Sequence, residues 1–174
     1  MIKIHSFIEF WREIERLQKQ DDEMLFFRGV SDASYDLKPG ICCETNINES
    51  DAYRDIVLDF PEEFADKKHL SNLVKMQHYG LNTRLMDVST NPVISLFFAS
   101  EQKNNIADGS VIALKCKKDK VLRYNSDKAL MLSCLPLFSN KDKNEIKNFC
   151  ERHPGKICDQ DIVHNDVMQR FLHE

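Results

Sequence analysis

The chain has 174 residues, of which 42% are hydrophobic and 30% are charged, and its formal net charge is −4. This length and apolar content are enough to bury a core, which excludes an intrinsically disordered protein. Charges of both signs are spread along the sequence without a basic stripe, so we expect no groove for duplex DNA. We attribute one local basic cluster to a solvated strand end: Lys115, Lys117, Lys118, Lys120 and Arg123.

The sequence shows no sign of export or of membrane insertion. Its start, MIKIHSFIEFWREIERLQKQ, carries acidic residues where a signal peptide has its apolar stretch. No segment is apolar over the length that crosses a bilayer, so we expect no membrane contact. The six cysteines include no CxxC pair and are expected to be free thiols in the cytoplasm. A zinc site made by Cys42, Cys43 and a histidine lacks the usual ligand spacing, so no metal centre is predicted.

The first part of the chain predicts a helix followed by short extended segments. Residues 6–18 have apolar side chains at helical spacing, and Ser6 with Glu9 forms the pattern of a capping box. The apolar run at 24–30 predicts a short buried strand. Residues 35–41 alternate and then turn at a Pro-Gly pair, which predicts either a second short strand or an extended loop.

The middle of the chain is predicted to be mostly helical. Residues 50–79 form three helical pieces, and Gly80 stands where helices commonly end in a glycine. Another helix is predicted from Pro92, with Thr90 or Asn91 as its cap. We expect four apolar side chains of that helix to be buried: Val93, Leu96, Phe97 and Phe98.

The last part predicts a strand and then helices. Residues 109–116 form an apolar strand pattern, and residues 121–125 are a candidate to pair with it. Ser126 begins an apolar helix that is expected to run to Leu137. Residues 140–174 are predicted to be helical and polar, with a break at a Pro-Gly pair.

Together these elements predict one α+β domain over residues 1–174, with a small mixed or antiparallel sheet surrounded by several helices. The final helical pattern stops without a cap or a closing glycine. That abrupt end favours a domain truncated at its C-terminus or a surface for a partner.

Chemically active side chains are concentrated at residues 75–100, KMQHYGLNTRLMDVSTNPVISLFFAS. Polar groups beside so apolar a helix indicate either a polar network that fixes a turn or a binding or catalytic site. Arg28 ends a buried strand, where an unpaired charge is costly. Its guanidinium is expected to pair with a carboxylate such as Asp87 or with a phosphate of a ligand. Gly29 lets a ligand or another backbone come close.

Each residue of the polar run has a functional and a structural interpretation. His78 can act as a general base or a donor to a ligand, or it can bond the last carbonyls of its helix. Tyr79 can stack on a base or pack in the core with its hydroxyl bonded. Arg84 and Asp87 are close enough in sequence to form a local pair. Thr90 can cap the next helix, whose positive end is also suited to a phosphate.

Two segments of the chain resemble the FRG domain, a bacterial family named for its Phe-Arg-Gly motif. The segment FFRGVSD carries that motif in Phe27, Arg28 and Gly29. The chain departs from the family's pattern at Asn82, often proline, and at Val88, often tryptophan, and it lacks the family's C-terminal Arg-Ile and Gln-Gln-Gly-x-Phe pattern. The segment QHYGLNTRLMDVSTNPVISLFFA carries the second motif in Gln77, His78, Tyr79, Gly80, Thr83, Arg84, Leu85, Asp87 and Thr90.

The order of these motifs also looks like that of the ADP-ribosyltransferase toxins, a distant likeness at the level of the fold. In those enzymes an early arginine or histidine contacts NAD, an aromatic ring stacks on the nicotinamide, and a carboxylate bonds the ribose. The likeness implies NAD as the ligand and an oxocarbenium-like transition state supported by a carboxylate. It implies Asp87 and His78 as the catalytic residues. The cofactor-binding residues that it implies are Arg28, Gly29, Tyr79, Thr83, Arg84 and Thr90.

The resulting hypothesis is a cytoplasmic bacterial FRG-domain protein with a nucleotide or NAD pocket. It would act as an ADP-ribosyltransferase or NAD glycohydrolase, in the role of a toxin or anti-phage effector with a protein or nucleic-acid target. The alternatives are a non-catalytic module that binds a phosphate-bearing ligand or a protein partner, and a purely structural polar core. For the site hypothesis, we expect Arg28 and residues 78–90 to line one concave site.

Overall fold

A computed structural model describes the chain at residues 2–17, 21–43, 47–64, 68–101, 107–153 and 166–173. The chain divides into two compact units, and each unit is assembled from two separate stretches of sequence. The first unit comprises Met1–Leu37 and Asp87–Val121, and the second comprises Lys38–Met86 and Leu122–Glu174.

The described residues form helices and one two-stranded antiparallel sheet, so the predicted α+β class is confirmed. The strands are β1 (Glu23–Val30) and β2 (Ser110–Lys117), and short 3-10 turns occupy Gly40–Cys43, Lys118–Lys120 and Leu135–Leu137. The helices are α1 (Phe7–Leu17), α2 (Glu49–Asp59), α3 (Pro61–Phe64), α4 (His69–His78), α5 (Pro92–Ser100), α6 (Asp127–Ser133), α7 (Asn140–Arg152) and α8 (Asp166–His173). Within the described ranges, no helix combines the length and the apolar character needed to cross a bilayer.

The first unit is built on the β1–β2 pair. The register places Phe27 opposite Ala113 and Arg28 opposite Ile112. Because successive side chains of a strand point to opposite faces, Phe27 and Arg28 face opposite sides of the sheet. Phe27 is 2% exposed, and its face is covered by α1 and α5 in one apolar cluster. That cluster consists of Phe10, Ile14 and Phe27, with Leu25, Leu96 and Val111 packed against it.

The backbone of α5 lies directly against the sheet because glycines stand at the contact. A Cβ atom on Gly29 would overlap the carbonyl oxygen of Ser95 and lie 2.9 Å from the backbone nitrogen of Ala99. A Cβ atom on Gly109, just before β2, would overlap the carbonyl oxygen of Ala99. Ser95 and Ala99 are themselves small and buried, so the helix can come this close.

The second unit is helical and has two apolar clusters. One lies among α2, α3 and α4, and the other among α6, α7 and α8. Asn48 caps α2, and Ser139 with Asp142 forms a capping box at the start of α7. The buried residues of the two clusters are Tyr53, Phe64, Leu73 and Met76 in the first, and Cys134, Phe138, Ile146, Phe149, Val167, Met168 and Phe171 in the second.

The predicted burial of α5 is wrong. Val93 is 42% exposed, Phe97 is 63% exposed and Phe98 is 50% exposed, while Leu96 is half-buried. The helix contacts the sheet through its small residues, because only those allow the close approach at Gly29. Val93, Phe97 and Phe98 therefore point away from the sheet, whereas Leu96 packs against the cluster around Phe27.

Other boundaries also differ from the prediction. Residues 121–125 form no strand, because the chain leaves β2 through the 3-10 turn and then bends, with Ser126 bonding the carbonyl oxygen of Arg123. The helix after Ser126 ends at Ser133, before Pro136, whose ring cannot continue it. Residues 35–39 form a loop, which is one of the two predicted alternatives, and the 3-10 turn begins at Gly40. The expected break at Pro154-Gly155 lies outside the described residues.

Replacing Gly29 with alanine should destabilise the first unit, because its Cβ would collide with the backbone of α5. We expect a loss of about 3 kcal/mol in the free energy of unfolding, as overpacking against backbone gives. Gly80→Ala is the control: its φ of +83° is strained for alanine but nothing lies within 4 Å of the added carbon. It should cost about 1 kcal/mol in the same denaturant titration. Equal losses for the two variants would contradict the close packing at Gly29.

Candidate functional site

The Phe-Arg-Gly motif, here called the name motif (residues 27–29), bonds the part of the second motif around Ser89 to the edge of the sheet. The backbone nitrogen of Phe27 donates to the carbonyl oxygen of Ser89 at 2.7 Å, and the nitrogen of Ser89 donates back at 2.8 Å. This antiparallel bridge lies beside β1, so the segment around Ser89 extends the sheet by one short step. Phe27 is buried in the core, and Gly29 allows the backbone of α5 to approach the strand. Both residues therefore pack against the chain between Ser89 and Ala99.

Arg28 makes a different contact. Its Nη1 donates to the backbone carbonyl oxygen of Asp87 at 2.7 Å. Sequence analysis named the carboxylate of Asp87 as one partner, but the acceptor is the main chain of that residue. Among the described residues, no carboxylate forms an ion pair with Arg28, a half-exposed residue whose bond to Asp87 lies at the surface. The position of Arg28 is therefore fixed by a neutral group that leaves its charge uncompensated.

The start of α5 is closed by its own residues. The side chain of Asn91 accepts from the backbone nitrogen of Val93 at 2.9 Å, and the nitrogen of Asn91 donates to the Ser89 hydroxyl at 3.0 Å. Of the two residues predicted as the cap, Asn91 is thus the one that caps α5, and asparagine is among the residues that favour this position. Thr90 is exposed beside it.

In the second unit the second motif fixes a turn after α4. Gly80 adopts the left-handed conformation that ends the helix. The hydroxyl of Thr83 donates to the side-chain oxygen of Gln77 at 2.6 Å and accepts from the backbone nitrogen of Leu85 at 3.1 Å. Thr83 is 5% exposed, and its carbonyl oxygen accepts from the nitrogen of Ile41 at 3.2 Å. These bonds give Gln77 and Thr83 a structural role in the turn.

Arg84 belongs to a half-buried ion cluster. Its Nε donates to Oε1 of Glu49 at 2.7 Å, its Nη2 bonds Oε2, and Nζ of Lys143 also reaches Oε2 at 2.7 Å. Burial of the carboxyl would raise the pKa of Glu49, but the bonds from Arg84 and Lys143 outweigh it and hold that pKa below its ordinary value. The cluster ties α2, the motif segment and α7 together. Arg84 is thus already paired with an acid.

His78 and Tyr79 lie on the surface at the end of α4. Tyr79 is 63% exposed, its ring meets Phe64 edge-on at 6.4 Å, and its hydroxyl donates to Glu63 at 3.5 Å. A hydrogen bond from Lys75 holds the pKa of Glu63 below its ordinary value. His78 is exposed. Neither ring stands in the enclosed setting that stacking on a nicotinamide needs.

A cleft in the second unit is lined by Glu49, Thr83 and mostly apolar side chains. Its enclosed volume is about 20 Å³, which is room for about one water molecule, so neither a nucleotide nor a dinucleotide fits inside it. Across the described ranges, no three or more His, Cys, Asp or Glu residues are arranged to hold a metal ion. Five cysteines are free thiols, and Cys158 lies outside those ranges.

The predicted site residues are divided between the two compact units. Arg28, Gly29, Asp87 and Thr90 belong to the first unit, where Arg28 touches Asp87. His78, Tyr79, Thr83 and Arg84 belong to the second unit. The expectation that both groups line one site stays a prediction. Sequence analysis missed Glu49 and Lys143, since acids in a first helical turn and lysines on a polar helix carry no distinguishing signal.

Residues 23–108 match the family model of the FRG domain. The chain contains an FRG domain. The match begins at the first residue of β1 and ends just before β2, so it includes both motifs. Comparison with curated proteins gave no significant match, and neither did comparison with solved structures. That the FRG-like domain spans residues 1–174, and that it is truncated, both stay predictions.

Glu49→Gln should destabilise the chain at neutral pH, because Arg84 and Lys143 would lose their shared anion. We expect a loss of about 2 kcal/mol in the free energy of unfolding for this half-buried cluster. Because the folded state lowers the pKa of Glu49, its contribution is full above the ordinary glutamate pKa and is lost as the pH falls through the lowered value. The difference between wild type and variant should therefore shrink in acid. Glu62→Gln, at an exposed position of α3, is the control.

Proposed function

We propose that this FRG domain binds a phosphate-bearing ligand of the nucleotide class and that Arg28 holds the phosphate. One observation carries the proposal. Arg28 is half-exposed, is held in place by the neutral carbonyl oxygen of Asp87, and has no carboxylate partner among the described residues. A half-exposed guanidinium without an acidic neighbour among the described residues is accessible to an anion from solution.

The chemistry of the guanidinium favours phosphate as that anion. Nη1 is occupied by Asp87, which leaves Nε and Nη2 on the adjacent edge for a two-point contact. Planar two-point contact is the geometry in which arginine binds phosphate or carboxylate oxygens. Arg84 offers no comparable edge, because Glu49 already accepts from its Nε and Nη2. Arg28 is thus the better anion anchor of the two.

NAD is the nucleotide that we propose, with its pyrophosphate on Arg28. We propose a second step in which the carboxylate of Asp87, the residue whose main-chain oxygen accepts from Arg28, assists cleavage of the bond between nicotinamide and ribose. Water or a protein or nucleic-acid target would accept the ADP-ribose. Such consumption of NAD is how the protein would serve as a toxin or anti-phage effector. His78 has a lesser role in this scheme, because the cleavage needs no strong base.

The competing proposals are a module that binds a protein partner and a purely structural polar core. The tasks of Phe27, Gly29 and Thr83 support a structural role for those residues. Arg28 distinguishes the proposals, because a structural arginine contributes to stability without a ligand, whereas an anion anchor contributes mainly when the ligand is bound.

Arg28→Ala should weaken binding of NAD or ADP-ribose by about tenfold or more while changing the stability of the free protein by only about 1–2 kcal/mol, the value of one charge-assisted hydrogen bond. Arg28→Lys should retain part of the affinity, because it keeps the charge but loses the fork. Calorimetry measures binding, and thermal melts with and without ligand measure stability.

The control is Arg16→Ala, which removes an exposed arginine of the same unit that pairs with Glu13. It should leave affinity unchanged. A drop in ligand-free stability far above 2 kcal/mol for Arg28→Ala would support the structural alternative. Absence of binding to the wild-type chain by NAD, ADP-ribose and ATP would reject the nucleotide proposal.

Asp87→Asn tests the catalytic step separately. If the carboxylate supports positive charge on the ribose, the variant should bind NAD about as well as wild type and release nicotinamide at least about tenfold more slowly. Nicotinamide release is followed by chromatography over a long incubation. If the wild-type chain binds NAD but releases no nicotinamide, the cleavage step is rejected. The proposal of a non-catalytic module that binds a nucleotide would then stand.

A further inference from the structure

The first unit exposes large apolar side chains on two segments, residues 4–11 and α5. Phe7 is 57% exposed and Phe97 is 63% exposed, although both belong to the most apolar stretches of their segments. Such groups are rare on the surface of a monomer when they lie together. We call this set the outer apolar surface; it consists of Ile4, Phe7, Ile8, Trp11, Val93, Ile94, Phe97 and Phe98.

These side chains belong to one layer of the unit. Phe10 and Ile14 of α1 and Leu96 of α5 pack in the same cluster as Phe27. Both helices therefore pack against the same face of the sheet. Phe7 stacks on Trp11 with ring centroids 6.2 Å apart, and Phe97 meets Phe98 edge-on at 5.7 Å.

The size of the surface suits a protein interface. With roughly 200 Å² for each large side chain and about half of that exposed, the eight residues offer roughly 800 Å². That is about what one partner contributes to a stable interface of standard size. Rings of phenylalanine and tryptophan are also the side chains that contribute most to binding energy at such interfaces.

The charges of the surface favour a partner without net charge. α5 contains no ionisable residue, so covering it removes no charge from water. The segment of residues 2–17 has equal numbers of acidic and basic residues: Glu9, Glu13 and Glu15 against Lys3, Arg12 and Arg16. Anionic lipid surfaces and nucleic acids instead attract an excess of basic residues.

We propose that two copies of the chain associate through the outer apolar surface. A two-fold contact places the same patch on both partners, so the patch must tolerate its own charge pattern. This one does, because its centre is neutral and its margin is balanced. The dimer would bury the exposed rings of α1 and α5, whose burial is the main stabilising term in association.

Sedimentation velocity over a wide range of protein concentrations tests the proposal on the 174-residue chain. We expect a monomer–dimer equilibrium, with the emission of Trp11 shifting to shorter wavelength as the dimer forms. Trp11 is the only tryptophan in the sequence, so its emission reports directly on this surface. Phe97→Glu and Phe7→Glu, one on each helix, should each weaken the dimer by about tenfold or more.

Leu58→Glu is the matched control, since Leu58 is 69% exposed on α2 in the second unit. It should leave the dimer intact. Far-UV circular dichroism checks that each variant is folded. If Phe97→Glu does not fold, Phe7→Glu alone provides the test of the dimer surface.

Three results would overturn the proposal. One is a chain that stays monomeric at every concentration with constant Trp11 emission. Another is a dimer that folded Phe7→Glu or Phe97→Glu leaves unchanged, or that Leu58→Glu weakens as much. The third is a monomer that binds vesicles of phosphatidylcholine and phosphatidylserine through Trp11, which would make the occupant a lipid surface.

Discussion

The backbone of α5 rests against β1 because residue 29 has no side chain, and the first unit depends on that contact. With α5 in place, the chain just before it runs beside β1, where Ser89 bonds Phe27 and Asp87 meets Arg28. The three residues of the name motif thus make three different contacts with one segment, residues 87–99. Phe27 fills the core, Arg28 fixes the approaching chain, and Gly29 admits the helix. This explains physically why the two motifs accompany each other.

Arg28 and Arg84, the two arginines of the motifs, differ in the groups that they bond. Arg84 shares the carboxylate of Glu49 with Lys143, so it has an acidic partner inside the second unit and its fork is occupied. Arg28 meets only a neutral main-chain oxygen among the described residues and keeps an unoccupied edge. Two arginines, one from each family motif, therefore have different chemistry. A ligand-binding role is supported where the charge lacks an anion, and a structural role where the anion is already present.

The matched segment depends on sequence outside it. It supplies β1, but β2, the strand that pairs with β1, begins at Ser110, two residues after the match ends. It supplies Glu49 and Arg84, but their companion Lys143 lies far downstream. Each compact unit likewise combines an early and a late stretch of chain. The FRG domain of this protein is thus stabilised by its flanking residues, even though the recognisable motifs lie within the match.

The sequence by itself determined the local elements: α1, the two strands, the three helical pieces before Gly80 and the start of α5 all follow from short-range periodicity and capping residues. It also contained the FRG motifs and the candidate site residues. Tertiary structure alone decided which oxygen Arg28 meets, which acid Arg84 meets and which side of α5 faces the sheet. The partners in these contacts are separated by 59 and 35 residues, and α5 turns its small side inward only because Gly29 allows it. No local pattern encodes such pairs, because they form only when distant stretches of chain pack together.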